Sequence, residues 1–216
     1  MPDDNNAPVE KTEESLLREL ADGSRDRQLI RGDLISFYMS NKRGFSALIY
    51  IEEYIEHIKV PKAKKSFLYL HYGICMESIE DYETAILCYS KMFSIDSLLE
   101  DQRYLMNNNT GFCLNKLGRY EEAASYCVSA LAVNPFRHNA YKNLGLSFQG
   151  QGYYRFAAEC FIFAIQRCRR DRRALHHLED LVAAHRDCFI KEDGIEEQLF
   201  ECRSITYDTV HSQSKQ

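Results

Sequence analysis

The chain has 216 residues, 45% of them hydrophobic and 27% charged, with four prolines and a formal net charge of −5. Such a length suits one domain or two small ones with a sizeable core, and such a charge excludes a chain built to coat nucleic acid, which needs a clustered basic excess. No apolar run reaches the ~20 residues that cross a bilayer, and the opening "MPDDNNAPVEKTEE" is acidic where a secretory signal is basic and then apolar. A cytoplasmic protein without a membrane span is expected.

Residues 1–24 read as an acidic, partly disordered lead followed by a short amphipathic helix, "TEESLLRELADG", with Gly23 as its stop. Leu16, Leu17 and Leu20 on that helix either cap the next helices or meet a second subunit, giving a homodimer. Residues 25–190 read as one helical domain. Within it, 33–58, "DLISFYMSNKRGFSALIYIEEYIEHI", is an apolar helix, a polar turn around Gly44 and a second apolar helix, and "VPKAKK" is a short basic connection.

The chain then begins to repeat itself. Placing "MNNNTGFCLNKLGRYEEAASYCVSALAVNP" above "AYKNLGLSFQGQGYYRFAAECFIFAIQRCR" sets Gly111 over Gly145 at an offset of 34 residues. At the same offset Gly118 meets Gly152, Tyr120 meets Tyr154, Ala123 meets Ala157, Cys127 meets Phe161 and Ala130 meets Ala164. Upstream, "FLYLHYGICMESIEDYETAILCYSKMF" carries Gly73, Tyr82, Ala85 and Tyr89 in the same order, at an offset of 38 that four extra residues in "SIDSLLEDQRY" explain. The copies span about 66–99, 104–137 and 138–171.

Each copy is a pair of helices on physical grounds alone. Tyr120, Ala123, Cys127, Val128 and Leu131 recur at steps of three and four, an apolar stripe on one helical face. Gly118 with Arg119 breaks the helix before it, and Pro135 after Asn134 stops this one. Small residues at Gly111, Ala123, Gly145 and Ala157 let the axes approach closely, and one hairpin cannot bury its stripe alone, so copies stack. Residues 172–190, with Leu175, Leu178, Leu181 and Val182, suit a helix that covers the last copy, and 191–216 read as a polar tail.

The pattern resembles the tetratricopeptide repeat. In the third copy the matching residues are Tyr141, Leu144, Gly145, Phe148, Gly152, Tyr154, Ala157, Phe161 and Ala164, with Arg169 where the closing proline belongs. The second copy supplies that proline as Pro135 but has Asn107 and Thr110 at the first aromatic and Leu positions, and the first copy has Tyr72 for Leu and Glu80 for Gly. The resemblance implies an all-α, right-handed superhelical solenoid of helix-turn-helix hairpins with a C-terminal capping helix, the 33–58 hairpin being a degenerate fourth. The layout of residues 12–190 is also similar to that of the small acidic tetratricopeptide chaperones of bacterial type III secretion, which hold a translocator protein and in some cases dimerise through the N-terminal helix.

The family implies binding of a protein or peptide partner rather than catalysis. Its first helices line a concave groove, and the groove positions fall on Phe67, Leu70, His71 and Ile74, then Leu105, Asn108, Asn109 and Phe112, then Asn139, Lys142, Asn143 and Leu146, and finally Arg173, His176 and His177. The wall runs from apolar to polar and mildly basic, and its asparagines are expected to hydrogen-bond the backbone of an extended ligand. Of the five positions of the carboxylate clamp that holds heat-shock chaperone C-termini, Asn143 and Arg173 match, whereas Asn108, Phe112 and His177 replace Lys, Asn and Arg. That mode is not expected.

Catalytic signatures fail in detail. "GLSFQG" has Gln149 where a nucleophile elbow needs Gly, "GQGYYR" has Arg155 at the third Gly of a dinucleotide fingerprint, and "GLSFQGQG" lacks the Lys and Ser or Thr of a phosphate loop. No enzyme activity and no cofactor are expected. His176 with Asp180, and His177 with His185, find no third ligand, so no metal is expected. The eight cysteines contain no CxxC pair and are expected to be reduced, buried packing residues.

Overall fold

A computed structural model describes residues 12–41, 43–57, 61–93, 95, 98–189 and 194–211. Eleven α-helices and no strand occur among them. In chain order they are α1 (Glu13–Asp22), α2 (Arg27–Ser40), α3 (Gly44–His57), α4 (Lys62–Ser78), α5 (Tyr82–Met92), α6 (Glu100–Lys116), α7 (Tyr120–Val133), α8 (His138–Gly150), α9 (Tyr154–Arg167), α10 (Arg172–Ala184) and α11 (Ile195–His211). The pairs α2/α3, α4/α5, α6/α7 and α8/α9 are antiparallel hairpins stacked in series. The acidic lead up to residue 11 lies outside the described residues.

The hairpins α4/α5, α6/α7 and α8/α9 share one turn. Glu80, Gly118 and Gly152 occupy equivalent positions and all three are left-handed, with φ of 64°, 74° and 80°. Each turn closes through a backbone N–H of the next residue bonded back to the last turn of the first helix: Asp81 to Met76, Arg119 to Leu114 and Tyr153 to Phe148. Glycine adopts that φ without a steric cost, whereas Glu80 does not.

The shared glycines explain the close pairing. A Cβ at Gly73 would stand 2.3 Å from the Tyr89 ring, one at Gly111 2.7 Å from the Cys127 sulfur, and one at Gly145 2.6 Å from the Phe161 ring. So in every copy the first helix offers a notch and the second fills it with the largest buried group of its stripe. Ala85, Ala123, Ala130, Ala157 and Ala164 are buried between the helices in the same way. One core runs from α1 to α6 and a second joins α9, α10 and α11, with smaller clusters between them.

Both ends close the stack. Thr12 caps α1 by accepting from the Ser15 N–H at 3.2 Å, and Gly23 ends it in the left-handed region. Leu16 is fully buried and Leu20 packs against the same core, so of the three leucines only Leu17, 37% exposed, is left to face outward. At the other end the stretch expected to be a polar tail forms α11 instead. Ile195, Leu199 and Cys202 recur at helical spacing and bury themselves against α9 and α10, with Phe189 packing on the same cluster. Cys188, on a short 3-10 turn, is exposed, contrary to the expectation that all cysteines are buried; Cys168 is half-buried, and the other six are buried. The eight form no disulfide.

Candidate functional site: the inner wall of the solenoid

Helix α4 touches α6 and α6 touches α8 directly, whereas the second helices α5, α7 and α9 make no comparable contact with one another. The first helices therefore form the inner layer. Along it a cavity of about 630 Å³ opens between α6, α8 and α10. Six residues singled out by the repeat register line it: Phe112, Lys142, Asn143, Leu146, Arg173 and His177. Asn115, Lys116, Tyr120, Gln149, Gly150, Tyr154 and His185 complete the lining. Of these, Lys116 and Asn115 lie one turn beyond the aligned groove positions at the C-terminal end of α6, which is why the register did not mark them.

The cavity is cationic. Arg173 donates to both oxygens of Asp171 at 2.8 and 2.6 Å, and His138 Nε2 lies 3.1 Å from the same carboxylate. The Arg173 guanidinium, outweighing burial, holds the Asp171 carboxyl well below the usual carboxylate range. Lys142 is 8% exposed and makes no hydrogen bond or ion pair among the described residues. Burial first, and the Arg173 charge second, lower its pKa. Burial likewise lowers that of His177, which stacks on the Phe161 ring with centroids 5.5 Å apart, and Lys142 adds to the effect. His185 stacks on Tyr154 at 3.7 Å.

The asparagines make a lateral network rather than a row of free amides. Asn109 donates to the Tyr89 hydroxyl at 3.3 Å, Asn108 to Asn109 Oδ1 at 3.0 Å, and Asn143 to Asn108 Oδ1 at 3.1 Å. Asn115 donates to the Asn143 carbonyl at 2.8 Å and accepts from the Ser147 hydroxyl at 2.9 Å. The expectation that Asn108 and Asn109 hold a ligand backbone is thereby corrected, because their amides tie neighbouring hairpins together. Asn143 differs. Its Oδ1 is buried and accepts no hydrogen bond among the described residues, and Gln149 Oε1, from a residue lining the same cavity, is in the same state.

The other groove positions separate. Leu70, 5% exposed, is core and offers no side chain to a ligand, since its helix face turns toward the packed cluster. Phe67 and Ile74 are exposed, His71 is half-buried against the Phe67 ring at 4.1 Å, and Leu105 is half-buried against two core clusters. Asn139 accepts from Arg173 at 3.5 Å. Phe112 shows one side to the cavity and packs edge-on against Tyr82 at 6.2 Å, so it is partly core. His176 is exposed and pairs with Asp180 at 3.4 Å. No group of three metal-ligating side chains gathers among the described residues, and no helix among them is long and apolar enough to cross a membrane.

No family model matches the chain and no curated protein matches it in sequence. Solved structures do match it in shape. A MamA RS-1 double mutant superposes with a TM-score of 0.67 at 17% identity over 89% of this chain and 99% of that one. MamA from Desulfovibrio magneticus RS-1 gives 0.66 at 18% over 85% and 97%. The second TPR domain of human RPAP3, in complex with the HSP70 peptide SGPTIEEVD, gives 0.50 at 20% over 56% and 98%. The chain is a tetratricopeptide-like solenoid. Within this fold, the cavity occupies the inner wall of the last two tetratricopeptide-like hairpins and the capping helix, and its cations come from α6, α8 and α10 together.

Proposed function

We propose that the protein is a non-catalytic interaction module that holds an extended segment of a partner protein on the inner wall of the solenoid, centred on the cavity between α6, α8 and α10. One observation carries this reading: among the described residues, a buried acceptor without a donor, Asn143 Oδ1, adjoins in sequence Lys142, a largely buried lysine that makes no direct ion pair and is attracted to Asp171 only at longer range, and both residues line one open cavity. Leaving the amide oxygen unmatched is costly, and a second carboxylate would add to the attraction on the lysine. A peptide supplies both partners at once, a backbone N–H for the amide oxygen and a carboxylate for the lysine. The RPAP3 domains, which share the fold over 56% of this chain, hold peptides ending in Glu-Glu-Val-Asp, and an acidic segment suits the cationic lining here. The heat-shock clamp pattern itself is met at only two of its five positions; Lys142 brings a cation from a different one.

A photo-reactive amino acid in place of Leu146, within the cavity, is expected to cross-link the partner in cells, whereas the same group in place of Val128, 54% exposed on α7, is not. The reverse pattern would move the site to the outer helices.

A further inference from the structure

Residues at one repeat position change chemistry steadily along the inner wall. Phe67, Leu105, Asn139 and Arg173 are equivalent on α4, α6, α8 and α10. The change is matched by two cavities rather than one. Between α2, α3 and α4 lies a second opening of about 430 Å³, whose apolar lining, Leu29, Ile35, Tyr54, Phe67 and Leu68, stands beside Gln28, Asp33 and Ser36. Leu29 and Phe67 there are 62% and 55% exposed, large apolar side chains left in contact with water. Lys142 and Arg173 hold the other end of the same wall. Asp171, the acid beside them, is held by Arg173 and His138 and attracts Lys142 at longer range, so two cations face one carboxylate and the end keeps a net positive charge.

Resting on the groove reading above, we propose that the partner segment is held at two ends: an aromatic or branched apolar side chain between Leu29 and Phe67, and an acidic group, Asp, Glu or a C-terminal carboxylate, at Lys142 and Arg173. The wall sets the spacing. The steps from α4 to α6 and from α6 to α8 join helices in contact, at roughly 8–10 Å each. Helix α10, which is not in comparable contact with α8, lies at least as far again, so the wall from α4 to α10 spans about 24–30 Å or slightly more. An extended chain covers that distance in roughly eight residues. Asn143 lines the charged end, and its buried Oδ1, without a donor among the described residues, would accept a backbone N–H next to the acidic group once the side chain turns to meet it, which favours a peptide over a small free acid.

The test is a selection of random 16-residue peptides displayed on phage against the immobilised full chain. The recovered sequences are expected to pair Asp or Glu with an aromatic or branched apolar residue about seven to nine positions away. Binding of a recovered peptide is expected to fall at least tenfold on Lys142→Gln and about fivefold or more on Phe67→Ser. Leu29→Ser, at an exposed site, serves as the second variant of the apolar end, and circular dichroism checks that each variant is folded. Acidic peptides with no fixed apolar residue, or binding indifferent to both Phe67→Ser and Leu29→Ser, would overturn the two-ended ligand and leave the groove reading standing. Peptides indifferent to all three variants, or no enrichment over a blank surface, would overturn both.

Discussion

Replacing Glu77 by Gln is expected to stabilise the protein, and to do so only above mildly acidic pH. Glu77 sits in the last turn of α4, where burial pushes its carboxyl from 4.5 up to about 7 although hydrogen bonds from Tyr89 and Cys113 pull the other way. Tyr89 donates to Glu77 Oε1 at 2.5 Å and accepts from Asn109, so the carboxyl is the first link of the amide network. Because the folded pKa lies above the unfolded one, the folded state binds the proton more tightly. This group's contribution is therefore fully present below about pH 4.5 and is lost as pH rises through about 7. At about 1.4 kcal/mol per tenfold change in proton affinity, the displacement from 4.5 to about 7 corresponds to about 3.5 kcal/mol at most. Gln keeps an oxygen for Tyr89 and carries no charge. Urea unfolding followed by circular dichroism at pH 5, 6, 7 and 8 should show the variant and the wild type close together at pH 5 and the variant ahead by roughly 1–3 kcal/mol at pH 8. A variant less stable at pH 8, or a gap that does not change with pH, would refute the assignment of a buried, charge-penalised carboxyl.

Gly145→Ala should cost about 1–3 kcal/mol by overpacking, because the new methyl would meet the Phe161 ring at 2.6 Å; an unchanged melting temperature would contradict the notch. Glu80→Gly should add roughly 0.5–1 kcal/mol by relieving the left-handed φ of 64° that glycine occupies in the other two hairpins, measured by urea midpoint. In thiol labelling of the folded protein, Cys188 should react fast and Cys168 more slowly. Cys127 and Cys160, each pushed up to about 12 by burial, should react only on unfolding, as should Cys75 and Cys202, each near 11.

The hairpins were legible because packing repeats whenever sequence does. Gly111 and Gly145 align at one offset since each must admit the second helix of its own hairpin, and Gly118 and Gly152 align since each must turn left-handed. Helix α11 was not legible as a helix that packs, because among its described residues the buried stripe has three small or medium apolar residues, Ile195, Leu199 and Cys202, followed by Thr206, set among acidic and amide residues. A search for spacing of three and four would have found it. The groove was half legible. Repeat register shows which helix face a residue occupies, and it brought Lys142, Asn143, Leu146, Arg173 and His177 to one cavity. It does not show whether an amide is spent sideways. Asn108 and Asn143 look alike in sequence, and only their mutual hydrogen bond decides that Asn108 is structural while Asn143 keeps an oxygen for the cavity.

Nuclear magnetic resonance of the isotope-labelled full chain, titrated with a peptide recovered by selection, tests the inner-wall site most directly. The amides of Asn115, Asn143, Leu146 and Arg173 are expected to shift on binding while those on the outer helix α5, and on α7 beyond its first turn, stay in place. Shifts confined to the outer helices, or to α1 around Leu17, would contradict an inner-wall site.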